Sequence, residues 1–239
     1  MDDRWFRLGD RGRYVAFAKG VEQTEHNFVN MPFTLSKYLE AKAALEECER
    51  DHHRILFVEH STTEERKRIA IKFNECATAF RASFGWHELD DDSRDRIWNR
   101  LDDRICGEEE FELPKPCKTW DVGHVIDSYG KREVGFDYDL QRKCINVLKR
   151  PELRGLNWHV IEHLQHAWYR LCIDEMPDHY VEWPMDVFPC SDPFYLVNEE
   201  MTCGLISEVR GPVYTFGEPF FSAIHEELPL AFTNCIREW

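Results

Sequence analysis

The second half of the chain constrains the fold most. Four short apolar runs, "HYVEW", "DPFYLVN", "CGLISEV" and "PVYTF", follow one another between His179 and Phe216 with turn residues between them. Runs this short and closely spaced read as neighbouring strands of a mainly antiparallel sheet. Two more strands are expected upstream. "TWDVGHVID" and "REVGFDYDL" flank Ser128-Tyr129-Gly130-Lys131, a hairpin-like turn, and Val134, Phe136 and Tyr138 alternate to one side. "PFFSAIHEEL" reads as a closing helix with Pro219 in its first turn and Pro229 beyond it.

The first half is different. Tyr14 to Phe17 reads as a strand. "TLSKYLEAKAALEECER" from Thr34 reads as a helix with Leu35, Leu39 and Ala43 on one stripe. "RILFVEH" from Arg54 suits a buried strand. The next helix opens on a capping box, Thr62 with Glu65. It runs through Ile69, Phe73, Cys76 or Ala77, Phe80 and Phe84, and stops at Gly85. The expected fold class is therefore α+β. Residues 1–88 form an N-terminal mixed α/β module, and residues 89–239 a mainly antiparallel sheet with helices packed on one side.

At 239 residues, with 43% hydrophobic and 13% aromatic side chains, the chain can bury a sizeable core. Met1-Asp2-Asp3-Arg4 leads into polar sequence, and no apolar run approaches a membrane span. The nine cysteines are odd in number and contain no C-x-x-C pair. Together these predict a soluble cytoplasmic protein with free thiols in a reducing compartment.

The formal charge of −15 opposes binding to nucleic acid or to anionic membranes. It suits a basic protein partner, such as a toxin. Between His87 and Glu112 stand eleven acidic and four basic residues. A helix is expected there, capped by Ser93, closed by Gly107, with Ile97, Trp98, Leu101 and Ile105 as its apolar stripe. Asp90, Asp91, Asp92, Asp102 and Asp103 are its candidate binding residues. A solvated face with Asp92–Arg96 pairing is the plainer explanation of the same charges.

"WHVIEHLQHAWYR", Trp158 to Arg170, contains H-x-x-E-H. Read as a helix over 157–173 capped by Asn157, it places His159, His163 and His166 on one stripe, away from Val160, Leu164, Trp168 and Leu171 and toward solvent. This motif resembles that of the inverzincin peptidases across five residues. The resemblance implies zinc held by His159 and His163, with Glu162 as general base. Glu226 or Glu227 could supply a third ligand only if the last helix packed alongside. No P-loop, dinucleotide fingerprint or G-x-S-x-G elbow occurs. Cys190-Ser191-Asp192, between Pro189 and Pro193, reads as a turn.

Three segments carry a family resemblance. They are "DRIWNRLDDRI" with Trp98, "FPCSDPFYLVNEEMTCG" with Pro189, Asp192, Phe194, Tyr195 and Gly204, and "TFGEPFFSAI" with Phe216-Gly217. From about Leu89 to Phe232 the chain resembles a bacterial family catalogued as domain of unknown function 2716. Ser191 stands where that family usually has glycine, and "ISEVRGPVY" replaces its Gly-x-Phe-Gly-His-Pro segment. The resemblance implies a small α+β domain and supplies no activity. The expected function is an acidic, non-enzymatic protein-binding module without a cofactor, of immunity or antitoxin type. The alternatives are the zinc hydrolase and a purely structural domain of a larger assembly.

Overall fold

A computed structural model describes residues 4–8, 13–17, 33–56, 62–106, 111–125, 134–162, 167–176, 183, 187, 193–209 and 211–239. The chain divides into two compact units. One comprises Met1–Gly85 with Glu175–His179; the other comprises Trp86–Asp174 with Tyr180–Trp239. The sequence boundary at 88/89 falls just past Gly85. The grouping of Glu175–His179 with the N-terminal unit has no signal in the sequence.

In the first unit, β1 (Arg4–Leu8) pairs antiparallel with β2 (Arg13–Phe17). Two long helices follow, α1 (Phe33–Leu56) and α2 (Thr63–Ser83). The capping box is formed: Glu65 N donates to Thr62 Oγ1 at 3.2 Å, and Thr62 N donates to Glu65 Oε2 at 2.8 Å. These bonds satisfy two of the amide donors that every helix start leaves open. Gly85, with φ 83°, ends the helical run in a conformation that favours glycine. The strand expected from Arg54 is corrected in part. Arg54 to Leu56 are the last turn of α1, and 57–60 lie outside the described residues.

The second unit is built on an eight-stranded antiparallel sheet. Its strands are β3 (Trp86–Glu88), β4 (Cys117–Asp121), β5 (Trp158–Glu162), β6 (Ala167–Leu171), β7 (Phe194–Asn198), β8 (Gly204–Ser207), β9 (Val213–Phe216) and β10 (Asn234–Glu238). The spatial order is β10-β4-β9-β8-β7-β5-β6-β3. Its helices are α3 (Asp91–Arg104), α4 (Val134–Leu148), α5 (Pro151–Arg154) and α6 (Phe220–Glu226). The α+β class is as expected.

Two expectations fail here, for one reason. The described residues of the histidine stretch form not a helix but the strands β5 and β6, which pair with each other; β5 also pairs with β7. Trp158 and Val160 are buried on one side, His159 and Ile161 on the other. A central strand covered on both faces loses the alternation that marks a half-buried strand. Conversely, "REVGFDYDL" is not a strand: α4 begins at Val134 and runs through the "KCINVL" segment. Leu140, Cys144, Val147 and Leu148 are buried at helical spacing. That period shows only when the window extends past Leu140. The turn at 128–131, most of "HYVEW" and Cys190-Ser191-Asp192 lie outside the described residues.

Helices cover both faces of the sheet rather than one. Ile97, Leu101 and Ile105 of α3 join Ile161, Trp168, Tyr195, Val197, Ile206 and Phe216 in one buried cluster. Burying each of these three α3 side chains contributes roughly 1.5–3 kcal/mol. On the opposite face Trp158 packs against Phe220 of α6 at 5.4 Å and donates from Nε1 to Leu153 O at 3.0 Å. A buried ion pair on α4 ties down the segment that leaves α6. Lys143 Nζ lies 2.9 Å from Asp139 Oδ2 and donates to Leu228 O at 2.6 Å, while Leu230 N donates to Asp139 Oδ2 at 2.7 Å.

Two glycines allow close backbone approach. A Cβ on Gly204 would lie 2.2 Å from Leu196 O, and one on Gly217, where φ is 68°, would lie 1.8 Å from Thr202 O. Both are positions on which the family resemblance rests.

Candidate functional site: the outer face of α3

The acidic helix starts one turn earlier than its sequence suggests. Asp90, not Ser93, is the N-cap: its Oδ1 accepts from Ser93 N at 2.7 Å. That hydrogen bond holds the Asp90 carboxyl below its usual range. Aspartate is as good a cap as serine, and the first-turn carboxylates Asp91 and Asp92 favour the positive end of the helix dipole. The helix ends at Ile105, ahead of Gly107, which lies outside the described residues. The pairing found is Arg94 with Asp91 at 2.7 Å, not Asp92 with Arg96.

Placed at 100° per residue, the side chains of α3 sort into three sectors. With Asp91 at zero, Asp95 and Asp102 fall within about 40°, and Asp92 and Asp103 at about 100–120°. Arg96, Arg100 and Arg104 form a ridge at about 140–220°. Ile97, Leu101, Ile105 and Trp98 lie at about 240–340°, a sector that also holds Arg94, and Trp98 meets Trp168 edge-on at 5.7 Å. Five aspartates and four arginines thus leave the helix nearly neutral as a whole. The signs are nevertheless separated across its surface. The arginine ridge is a feature that counting charges along the sequence misses and a helical wheel reveals.

Two arginines of the ridge are engaged. Arg100 Nη1 donates to Glu199 O at 2.8 Å and to Glu200 Oε1 at 3.2 Å. Arg96 reaches back to Ser93 Oγ at 3.3 Å. Asp92, Asp95, Asp102 and Asp103 are exposed and form no ion pair with a described residue. Of the five candidates read from sequence, Asp90 caps the helix and Asp91 is paired. Asp92, Asp102 and Asp103 stand free, and Asp95 joins them.

Under the same helix lies His159. It is 4% exposed, and among the described residues neither Nδ1 nor Nε2 has a hydrogen-bond partner. Its neighbours across the sheet are Arg170 and Val197. Burial pushes its pKa down to about 4. Glu199 opposes that shift, and Arg170, Arg96 and Arg100 add to it. The ring is a neutral core group, not the solvated histidine expected from a helix. The helix that the zinc reading assumes is absent over the described residues, where His159 and Glu162 belong to the strand β5. His163 and His166 lie outside the described residues. Glu226 and Glu227 face Arg150, at 2.6 and 3.1 Å.

On the other face of the sheet, Trp120 Nε1 donates to Thr215 Oγ1 at 3.2 Å, and Thr215 Oγ1 lies 3.1 Å from His225 Nε2. Burial, and then Lys118, push His225 down to about 4. Thr215 is fully buried, so this chain of polar groups holds α6 to the sheet and offers no reachable nucleophile.

"Uncharacterized protein YxiI" of Bacillus subtilis (strain 168) is 26% identical over 164 residues, covering 62% of this chain and 98% of that relative. No solved structure matches. A family model described as "Protein of unknown function (DUF2716)" matches residues 88–219, more than half of the chain, from the end of β3 to the start of α6. The chain belongs to that family.

Proposed function

We propose that the protein is a binding module that presents the outer face of α3 to a basic protein partner. The observation that carries this reading is the sector of exposed carboxylates at Asp92, Asp95, Asp102 and Asp103, which form no ion pair with a described residue. Its rigid base supports it: the opposite side of the helix is locked into the sheet by Ile97, Leu101 and Ile105. A charged surface held on a rigid element raises encounter rates with an oppositely charged partner and orients it. An immunity or antitoxin protein covering a cationic toxin is the concrete form of this reading.

The test is capture of partners from host lysate by the whole protein, with the variant Asp92→Asn, Asp95→Asn, Asp102→Asn, Asp103→Asn alongside. These changes keep side-chain size and leave the Asp90 cap and the Asp91–Arg94 pair in place. The expected result is a basic partner retained by the native protein and reduced about tenfold or more in the variant. Equal capture by both would remove the proposal.

A further inference from the structure

The hairpin of α1 and α2 holds a second chemical feature, unrelated to the acidic helix. Cys48 Sγ and Cys76 Sγ lie 2.9 Å apart. Cys48 is buried at 3% exposure, and Cys76 is half-buried at the surface of the pair. A disulfide needs its sulfurs about 2.0 Å apart. These two therefore need less than an ångström of approach. The residues are 28 positions apart. A bond between them would join the two helices and close a long loop in the unfolded chain.

We propose that Cys48 and Cys76 are an oxidant-responsive dithiol that a hydroperoxide converts into a disulfide tying α1 to α2. Cys76 is the attacking residue, because it is the reachable one. Its thiolate attacks one peroxide oxygen: an S–O bond forms, the O–O bond breaks, and water leaves once the departing oxygen is protonated. The product is a sulfenic acid on Cys76. The sulfur of Cys48, already in contact, then displaces the hydroxyl. The S–S bond forms, the S–O bond breaks, and the Cys48 proton leaves with the hydroxyl as a second water. Two thiols and one hydrogen peroxide give one disulfide and two waters, with two electrons passing from sulfur to oxygen. A dithiol reductant reverses the state.

The resting pair is guarded. Contact with Cys48 and burial push the Cys76 thiol up to about 11, so at neutral pH it is almost wholly protonated. The device therefore responds to sustained oxidant rather than to traces. Lys72 favours the Cys76 thiolate and Glu75 opposes it.

The experiment uses the full reduced protein and hydrogen peroxide, followed by alkylation of remaining thiols and non-reducing peptide mapping. The expected result is loss of two of the nine thiols, recovered as one linked peptide joining Cys48 to Cys76 and released by dithiothreitol. In Cys48→Ala the linked peptide is absent, and Cys76 proceeds to sulfinic acid instead. The proposal is overturned if native Cys76 is oxidised without the link, if the link joins other cysteines, or if both thiols alkylate as they did before peroxide. The native mapping decides the matter even if the variant folds poorly.

Discussion

The two units bury their side chains to different degrees. Among the described residues, the first unit's two long helices bury little beyond Tyr38, Cys48, Ala77, Ser83 and Phe84, and leave Ile71 at 59% exposure. The sheet unit buries Trp86, Trp158, Trp183, Phe194, Phe216 and Phe220 almost completely. A sheet covered on both faces gives each central strand two sets of apolar partners, whereas a pair of helices has one seam. The family match begins at 88, so it falls on the densely packed unit and leaves the helical pair outside. The two proposed roles divide along the same line: a rigid recognition face draws on a sheet packed beneath it, while a covalent link adds most where packing is thin.

Core truncation is expected to separate the two units most widely. Leu101→Ala removes a fully buried side chain between α3 and the sheet and is expected to destabilise by about 2–5 kcal/mol. Ile71→Ala, on the exposed side of α2, is expected to change stability by under about 0.5 kcal/mol. Urea denaturation checks both, read by tryptophan fluorescence for the sheet unit and by circular dichroism for the helices. Similar losses in the two variants would erase the contrast.

Acid is the next probe. His159 and His225 are both held neutral in the sheet unit, at about 4 against about 6.5 when unfolded. The unfolded chain therefore binds protons that the folded one refuses. Stability is greatest above pH 6.5 and falls as the pH drops toward 4. The His159 share of that loss approaches about 3 kcal/mol once the pH is below the folded value. Melting temperatures between pH 7 and 4 should decline less steeply in His159→Gln, with the His225 share remaining. An unchanged slope would show that His159 finds a proton partner in the folded protein.

The smallest effects compare helix caps. Thr62→Ala removes the capping box of α2, and Asp90→Ala removes the cap of α3; each is expected to cost about 1 kcal/mol. Because α3 is clamped to the sheet, Asp90→Ala should leave its helicity intact, while Thr62→Ala should fray the first turn of α2. Amide hydrogen exchange at residues 63–66 and 91–94 separates the two outcomes.

The sequence was most readable where one signal dominated. The Thr62–Glu65 box, the Ile97–Leu101–Ile105 stripe and the strands from Phe194 to Phe216 are local patterns, and the fold keeps them. It misled where two periods overlapped. Val134, Phe136 and Tyr138 alternate like a strand but belong to a helix whose buried face continues to Leu148. Trp158 to Leu171 spaces its apolar residues like a helix, yet its described residues form the strands β5 and β6, and β5 is buried on both faces. The acidic cluster was legible as charge, but not as arrangement. The engagement of Arg100 by Glu199 and Glu200 links residues a hundred positions apart, and Asp95 was overlooked beside its neighbours. The contact between Cys48 and Cys76 likewise needs the helical pairing before it can be seen.

The most direct test of the central claim is the salt dependence of association with the captured basic partner. A partner drawn by the carboxylates of α3 should associate about tenfold or more slowly as ionic strength rises from about 0.05 M to about 0.5 M, where the screening length shortens to a few ångströms. The four-asparagine variant should start slow and respond little to salt. Association that is fast and insensitive to salt in the native protein, or equally salt-sensitive in both, would contradict the account.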